Sequence, residues 1–274
     1  MPVQETHDLT FAETTVAKRY TSWDRSEPDR EWAGLTMMAE HAPGLAPRPV
    51  RREVAADGSP VVVMSRLRGT PLGSAPLTPA ELAGLGAALR RLHDVPAGGL
   101  EAAGLGERRF GPTVARASIR KWAADEPDLG PCRDPALVVA ALTRARDWLA
   151  APADGLDRVL DPVLGLADGN IGNVVCDGTT CRLVDFEDCG LSDPAFEVAD
   201  LLEHLSVRVP VLVPPEQLVA AVGLDQAQRA RCAAYRPLFA AFWLVMLLPG
   251  NRGFPRNPAG TTEDQARHLL ALLG

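Results

Sequence analysis

Two short apolar segments with polar residues at their ends interrupt the otherwise helical second half of the chain. The stretch LGLADGNIGNVVCDGTTCRLVDFEDCG, residues 164–190, has the pattern of a loop, two short strands that turn at Asp177-Gly178, and a second loop. Asp168, Asn173 and Asp185 stand in the two loops. Since a tight turn joins the strands, the pattern predicts that these three side chains face one region of the molecule.

The sequence around this hairpin predicts a mainly helical region. Thr78-Pro79-Ala80-Glu81 has the pattern of a capping box, and it opens a helix with regularly spaced leucines on one face. Further helical patterns occupy residues 112–150, 195–206, 215–222, 225–248 and 262–273.

The first quarter of the chain predicts strands and one helix. Residues 9–21 favour one long strand or a tight hairpin, and residues 59–67 favour a buried strand. Between them lies an amphipathic helix with Ser26 as candidate N-cap and an apolar stripe at Trp32, Leu35, Met38 and Ala39. The Gly- and Pro-rich segment RLRGTPLGSAPLTP then marks a boundary. We therefore predict an α+β chain with a small β-rich lobe, residues 1–67, and a larger mainly helical lobe, residues 68–274.

Charge and composition exclude several classes of protein. The net charge of −7 argues against a nucleic-acid partner, which would need a basic face. The longest apolar run, residues 238–248, is too short to cross a bilayer, and residues 1–10 lack the pattern of a signal peptide. We expect no membrane partner and a cytoplasmic location. The five cysteines form no C-x-x-C pair, so neither a disulfide framework nor a zinc site is predicted.

The spacing of Asp168 and Asn173 matches the D-x-x-x-x-N part of a kinase catalytic loop. In such a loop the aspartate orients the acceptor hydroxyl and the asparagine binds a metal ion. Asp185 follows the second strand and is the candidate for the second metal ligand. Gly169 and Gly172 would let the loop turn tightly through unusual backbone angles. Asp and Asn beside Gly are also ordinary turn residues, so the spacing alone leaves a structural interpretation open.

Several segments, in the right order, resemble the aminoglycoside phosphotransferase family of the protein-kinase-like superfamily. The segments are LADGNIGN, LVDFED, SDPAFEVADL, REWAGLTMMAEHAPGLAPRPV, VVVMSRLRGTPL and LRRLHDVP. The resemblance covers most of the chain. It implies a two-lobed protein-kinase-like fold, Mg²⁺, ATP or GTP as phosphate donor, and transfer to the alcohol group of a small hydroxylated acceptor. An aminoglycoside or another antibiotic is the acceptor that it favours.

The resemblance also implies roles for individual residues. Lys18, one of only two lysines, lies in TVAKRY and would bind the α- and β-phosphates, with Glu31 as its ion-pair partner. Glu27 and Glu40 are competitors for that pairing. Met64, Ser65, Arg66 and Leu67 would line the nucleotide base pocket. Asp168 would be the catalytic base, and Asn173 and Asp185 the metal ligands.

The sequence departs from the family pattern at three places. Leu166 stands where the family usually has a histidine, two residues before the catalytic aspartate, and its apolar side chain is expected in the core. No Gly-rich phosphate loop precedes Lys18, so backbone amides near residues 10–15 would position the phosphates. DFE stands where protein kinases have DFG. The first two departures keep open a catalytically dead nucleotide-binding or ligand-binding relative, whereas DFE is expected for small-molecule kinases. A metabolic kinase for choline, homoserine or a sugar is a further alternative.

Other polar residues have structural interpretations or open ones. Asp193 is expected to cap the following helix, His93 to bond to backbone, and the remaining histidines to lie on the surface. Glu187 and Asp188 are left open between a metal or cationic substrate and solvent. Acidic residues of the helical region that could bind an amine-rich acceptor are Glu126, Asp128, Asp134 and Glu203.

Overall fold

A four-stranded antiparallel sheet and one helix form the N-terminal part of the fold. The structure is a computed structural model, and it describes residues 7–152, 155–209 and 211–274. The elements of this part are β1 (His7–Phe11), β2 (Thr15–Tyr20), α1 (Glu27–His41), β3 (Pro49–Val54) and β4 (Pro60–Ser65). The strand order is β1-β2-β4-β3, so the predicted segment 9–21 is a hairpin rather than one strand.

The sequence of β2 and β4 explains why they form the centre of this sheet. In β2 the side chains of Lys18 and Tyr20 are buried on one face, two residues apart. Strand β4 is almost continuously apolar, and Val62 lies opposite Lys18 in the antiparallel register. The sheet therefore places one lysine in an otherwise apolar layer.

Strand β3 is an element that the sequence analysis did not predict. Its residues PVRREV are charged and largely exposed, and it pairs with β4 at the edge of the sheet. A charged edge strand lacks the apolar alternation on which strand prediction depends, and its charges keep the free edge from pairing with other chains.

Helix α1 was predicted in the right place, but its start and its buried face differ in detail from the prediction. Ser26 occupies the N-cap position with a φ of 61°, and its side chain makes no capping hydrogen bond. Leu35 and Met38 are buried as predicted, whereas Ala39 is exposed. The packed face is shifted toward Glu31, which is fully buried. A carboxylate on the core side of a helix is the feature that an apolar stripe does not reveal.

Among its described residues, the larger part of the chain contains eight further α-helices and five short strands. The helices are α2 (Pro79–His93), α3 (Pro112–Ala123), α4 (Pro135–Ala150), α5 (Pro194–Glu203), α6 (Leu205–Arg208), α7 (Pro215–Val222), α8 (Gln226–Met246) and α9 (Thr261–Leu273). The strands are β5 (Thr70–Pro71), β6 (Val163–Gly165), β7 (Val174–Cys176), β8 (Cys181–Leu183) and β9 (Gly190–Ser192). The predicted helix 195–206 is split at His204 into α5 and α6.

The predicted hairpin is strands β7 and β8, and the rest of the fold holds it in place. Cys176 lies opposite Cys181, on either side of the turn at Asp177-Gly178, and β5 pairs with β7 on the other side. Helix α2 packs against the hairpin and begins with the predicted capping box, in which the Thr78 hydroxyl accepts from the Glu81 amide. The two polar loops therefore start from a rigid base.

An aromatic core joins α5 to α8 beneath the hairpin. The Phe196 ring lies 5.1 Å from Tyr235 and 4.7 Å from Phe239, in both cases edge to face. Such pairs add to the burial of the large rings. Asp193 caps α5, as predicted. Its side chain accepts a hydrogen bond from the Ala195 amide in the first turn of the helix. Within the described ranges, no helix has the length and apolar character needed to cross a membrane.

Candidate active site

The loop between β6 and β7 holds Asp168 and Asn173 in contact with each other. Asp168 Oδ2 accepts a hydrogen bond from Asn173 Nδ2 at 2.9 Å, and Asp168 Oδ1 accepts from the Asn170 amide at 3.0 Å. A short 3-10 turn over Ile171–Asn173 creates this approach. The five-residue spacing therefore places the two predicted side chains side by side.

The strained backbone positions of the site are not the glycines that the sequence suggested. Gly169 and Gly172 have ordinary φ angles, and the left-handed residues are Ala167 and Asp185, each with a φ of 72°. Left-handed backbone in residues with a Cβ is uncommon and often accompanies function. Gly169 is needed for a different reason, because a Cβ there would lie 2.6 Å from the Asp200 carbonyl oxygen.

Lys18 reaches three carboxylates in the centre of the site. Its Nζ lies 2.9 Å from Glu31 Oε2 and 2.9 Å from Glu187 Oε2, and it also contacts Asp185 Oδ1. Glu31 is thus the partner, as predicted, whereas Glu27 pairs with Arg25. The lysine joins α1 and the N-terminal sheet to the loop that follows the hairpin.

Burial strengthens the electrostatics of this cluster. Burial alone would lower the pKa of Lys18, but Glu31 and Asp185 raise it well above its ordinary value. Burial raises the pKa of Glu31 despite the lysine beside it, and it raises the pKa of Glu187 to about 7. Lys18 therefore stays charged, whereas the carboxyl groups of Glu31 and Glu187 take up protons more readily than those of exposed glutamates.

The donor set fits a divalent, oxygen-preferring metal ion. One carboxylate oxygen from each of Glu31, Asp185 and Glu187 lies within 4.8 Å of the others, and all three carboxylates also contact the Lys18 ammonium. Asn173 lines the same cleft as Asp185, and its amide N donates to Asp168. Carboxylate and amide oxygens are the ligands of Mg²⁺ in phosphate-handling sites.

A cleft between the N-terminal sheet and the hairpin contains the residues predicted to bind nucleotide and metal. Its volume is about 360 Å³. Among the residues that line it are Lys18, Glu31, Met64, Ser65, Arg66, Leu67, Asn173 and Asp185. Asp168 does not line the cleft, but its hydrogen bond to Asn173 places it beside the cleft. Its side chain is 41% exposed. A group bound near Asp168 would therefore have access from solvent.

The turn between β1 and β2 stands above this cleft and is short. Ala12, Glu13 and Thr14 connect the strands, and the Arg66 amide donates to the Thr14 carbonyl at 2.9 Å. The Arg66 guanidinium also lies 5.6 Å from the Phe11 ring, itself 61% exposed. The tip of the hairpin is thus tied to the segment that follows β4.

A buried ion-pair network braces the backbone just before Asp168. The Arg108 guanidinium contacts Glu197 at 2.6 Å and Asp200 at 2.7 Å, and it donates to the Ala167 carbonyl at 3.0 Å. Glu197 Oε2 accepts from the Leu166 amide at 3.0 Å. Leu166 itself is buried, as expected. Sequence reasoning missed Arg108, since a single arginine gives no periodic signal among many.

Two histidines that were expected on the surface are partly buried in polar contacts. His204 Nε2 lies 3.8 Å from Asp168 Oδ1, and His268 Nε2 lies 2.6 Å from Glu203 Oε2. His93 was expected to bond to backbone, but its Nε2 is buried without a hydrogen-bond partner. His204 and His268 meet their partners across long sequence separations, which local patterns do not register.

Most of the acidic residues considered for an amine-rich acceptor have structural contacts. Asp134 caps α4, Asp128 accepts from the Gly130 amide, and Glu203 is fully buried between Arg236 and His268. Glu126 is exposed. Asp188, left open before, lies 3.6 Å from Arg109, and burial raises its pKa to about 6.

A strand-rich lobe, a larger helical lobe, and a cleft at their junction that contains a buried lysine are the features of a protein-kinase-like fold. The family model of the phosphotransferase enzyme family, APH, matches residues 10–235. The chain belongs to this family, and it is a phosphotransferase enzyme.

Solved structures with similar folds include kinases of small molecules. A choline/ethanolamine kinase family protein from Mesorhizobium loti is 19% identical with a TM-score of 0.66, over 99% of this chain and 86% of that one. Aminoglycoside 2'-phosphotransferase-IIIa in complex with GDP is 16% identical with a TM-score of 0.64, over 100% and 89%.

A thermostable mutant of aminoglycoside phosphotransferase APH(4)-Ia, in ternary complex with AMP-PNP and hygromycin B, is 18% identical with a TM-score of 0.61. That alignment covers 97% of this chain and 94% of the other. At these identities the likeness establishes the two-lobed fold. No curated protein sequence matches the chain.

Proposed function

We propose that the protein is a Mg²⁺-dependent kinase that transfers the γ-phosphate of ATP or GTP to a hydroxyl of a small molecule. The observation that carries the proposal is the contact of Asp168 with Asn173 beside a cleft that also contains Lys18 and Asp185. Phosphoryl transfer needs little more than positioning and charge stabilisation, and these four side chains supply both. In this proposal the nucleotide lobe is residues 1–67 and the catalytic lobe residues 68–274.

Asp168 acts on the acceptor in this mechanism. Its carboxylate is held on both oxygens, by the Asn170 amide and by Asn173 Nδ2, while 41% of the side chain is exposed. An acceptor hydroxyl bound there donates its proton toward the carboxylate as its oxygen attacks phosphorus. The fixed orientation of the carboxylate supplies the positioning on which the rate depends.

Lys18 binds the phosphates of the donor, and Glu31 orients its ammonium group. Met64, Ser65, Arg66 and Leu67 border the part of the cleft in which the base would lie. Asn173 and Asp185 would hold Mg²⁺, and the bound ion would neutralise charge on the phosphate oxygens. Because Lys18 contacts Asp185 directly, the donor site and the metal site are coupled through one ion pair.

The acceptor that we favour is an antibiotic of the aminoglycoside type or another hydroxylated antibiotic, so that phosphorylation would confer resistance. Support comes from the neighbours with aminoglycoside phosphotransferase names, one of them solved with hygromycin B. The choline/ethanolamine kinase neighbour supports a metabolic acceptor as the second candidate. Either reaction consumes nucleoside triphosphate, so we place the enzyme in the cytoplasm.

The test is nucleotide consumption with a panel of hydroxylated acceptors, measured by a coupled assay with and without Mg²⁺. Asp168→Asn is expected to reduce kcat by about 10²–10⁴-fold, the usual value of a positioned base, while nucleotide binding persists. Asp264→Asn, a change at an exposed helix acid, is the matched control and should keep wild-type activity. Nucleotide binding with no turnover on any acceptor would instead favour a catalytically dead relative.

A further inference from the structure

We infer that His204 is a positioning residue for Asp168, supplying from the break between α5 and α6 the imidazole N–H that the catalytic loop itself lacks. The inference rests on the proposed function, in which Asp168 orients the acceptor hydroxyl. It concerns a residue 36 positions further along the chain (204 − 168), outside the catalytic loop.

Hydrogen bonds to the other ring nitrogen set the tautomer of His204. Its Nδ1 lies 3.1 Å from the Ser206 amide N, which can only donate, so Nδ1 must accept. The Ser206 hydroxyl lies 2.7 Å from the same nitrogen. In the neutral ring the proton is then on Nε2, the atom that lies 3.8 Å from Asp168 Oδ1. Burial lowers the pKa of His204, which favours this neutral form.

Two further contacts fix the imidazole relative to the catalytic loop. Ser206 Oγ accepts a hydrogen bond from the Ile171 amide at 3.0 Å, which ties the residue that contacts His204 Nδ1 to the catalytic loop. The Trp243 ring stands at 90° to the imidazole with centroids 4.7 Å apart. The histidine is therefore held by the same loop whose aspartate it faces.

The need for such a group follows from Leu166. Its side chain, two residues before Asp168, is buried and apolar, and it offers no hydrogen bond to the loop. Arg108 and Glu197 brace the backbone of Ala167 and Leu166, but neither reaches the Asp168 carboxylate in the contacts found. His204 approaches that carboxylate, and catalytic hydrogen bonds commonly shorten when the acceptor is bound.

Three variants separate positioning from the second role of His204, which is to cap α6 through its contact with the Ser206 amide. Asn at position 204 keeps a good capping oxygen but is too short to reach Asp168. Gln places an amide N–H at about the reach of His204 Nε2 but caps poorly. Leu can neither donate to Asp168 nor cap the helix. We expect His204→Asn and His204→Leu to lose about tenfold in kcat with nucleotide KM unchanged, and His204→Gln to retain most activity despite a lower Tm.

The control for loss of an imidazole is His41→Leu, at the exposed end of α1. Retention of kcat in His204→Asn together with its loss in His204→Gln would overturn the inference and leave only a capping role. Unchanged kcat in all three variants would also overturn it. A wild-type protein without phosphotransfer would refute the proposed function instead. In that event ¹⁵N NMR of the wild-type imidazole still tests the contact, because an Nδ1–H tautomer excludes donation to Asp168.

Discussion

At the scale of single residues, the strongest constraint is the ammonium group of Lys18. Only 3% of the residue is exposed, and its charge is surrounded by the carboxylates of Glu31, Asp185 and Glu187. A buried ion pair contributes little to stability when it is compared with an apolar replacement of both partners. Removal of one partner is costly, because the other charge is left unpaired.

Lys18→Met should therefore destabilise the fold by about 3–5 kcal/mol at pH 8, as measured by urea denaturation. The chain offers a matched control in its other lysine, since Lys121 is exposed and Lys121→Met should change stability little. Adding Glu31→Gln to Lys18→Met should restore part of the loss, because a buried charge is removed. Equal stability of the two lysine variants would contradict the electrostatic role given to Lys18.

Asp188 leads to a pH-dependent prediction. Burial raises its pKa from 3.8 to about 6, so ionisation of this carboxyl weakens the folded state progressively over that interval. The penalty is absent below pH 3.8 and complete above about pH 6. Asp188→Asn should thus raise stability by about 1–2 kcal/mol at pH 8 and by less at pH 5. Thermal unfolding of the wild type and the variant across this pH range measures the difference in stability. A Tm difference that does not change with pH would refute the argument.

At the scale of elements, α5 braces the loop that carries Asp168 through its acidic side chains. Glu197 and Asp200 are both on this helix, and both contact Arg108, which is 3% exposed and comes from the segment before α3. Burial alone would lower the pKa of Arg108, but the two carboxylates raise it, and its guanidinium stays charged. The helix, the arginine and the loop therefore form one rigid unit.

Arg108→Met is expected to cost about 3–5 kcal/mol and to reduce kcat by displacing the Ala167 backbone. The matched control is Arg267→Met, which breaks an exposed pair with Asp264 three residues away and should cost about 0.5 kcal/mol or less. Urea denaturation of both variants and steady-state kinetics provide the comparison. If the two substitutions cost the same, the network does not brace the loop.

At the scale of the whole molecule, the cleft is built by two parts of the chain that are joined by polar contacts. Lys18 on β2 contacts Asp185 beyond the hairpin, and Arg30 on α1 donates to the Cys189 carbonyl at 2.6 Å. A nucleotide that bridges both sides would bind the folded protein only. Its binding should therefore raise stability by mass action.

We expect Mg²⁺ with ATP or GTP at 100 times its Kd to stabilise the fold by about 2.7 kcal/mol, seen as a rise in Tm. The nucleotide that gives the larger rise at equal concentration is the preferred donor. EDTA, or the substitution Asp185→Asn, should remove most of the effect, and Mg²⁺ without nucleotide should reproduce little of it. A rise that is independent of both the metal and Asp185 would speak against the metal role of that residue.

Local sequence patterns predict most elements of this fold and part of its site. The capping box at Thr78, the hairpin turn at Asp177-Gly178 and the helices after Asp193 depend on neighbours a few residues away, so the sequence predicts them. The five-residue spacing of Asp168 and Asn173 belongs to the same class, because one 3-10 turn is enough to bring the two side chains together. Strand β3 was missed because its charged edge position lacks apolar alternation.

What the sequence by itself determined is the α+β layout, the hairpin and the pair of polar residues in its first loop, since each rests on hydrogen bonds and periodicities of short range. The tertiary structure alone decided that Lys18 meets three carboxylates, that Arg108 braces the backbone at Ala167, and that His204 faces Asp168. Those contacts join residues 13 to 169 positions apart. Burial gives them their strength, and burial is a property of the packed chain, which the order of its residues does not display.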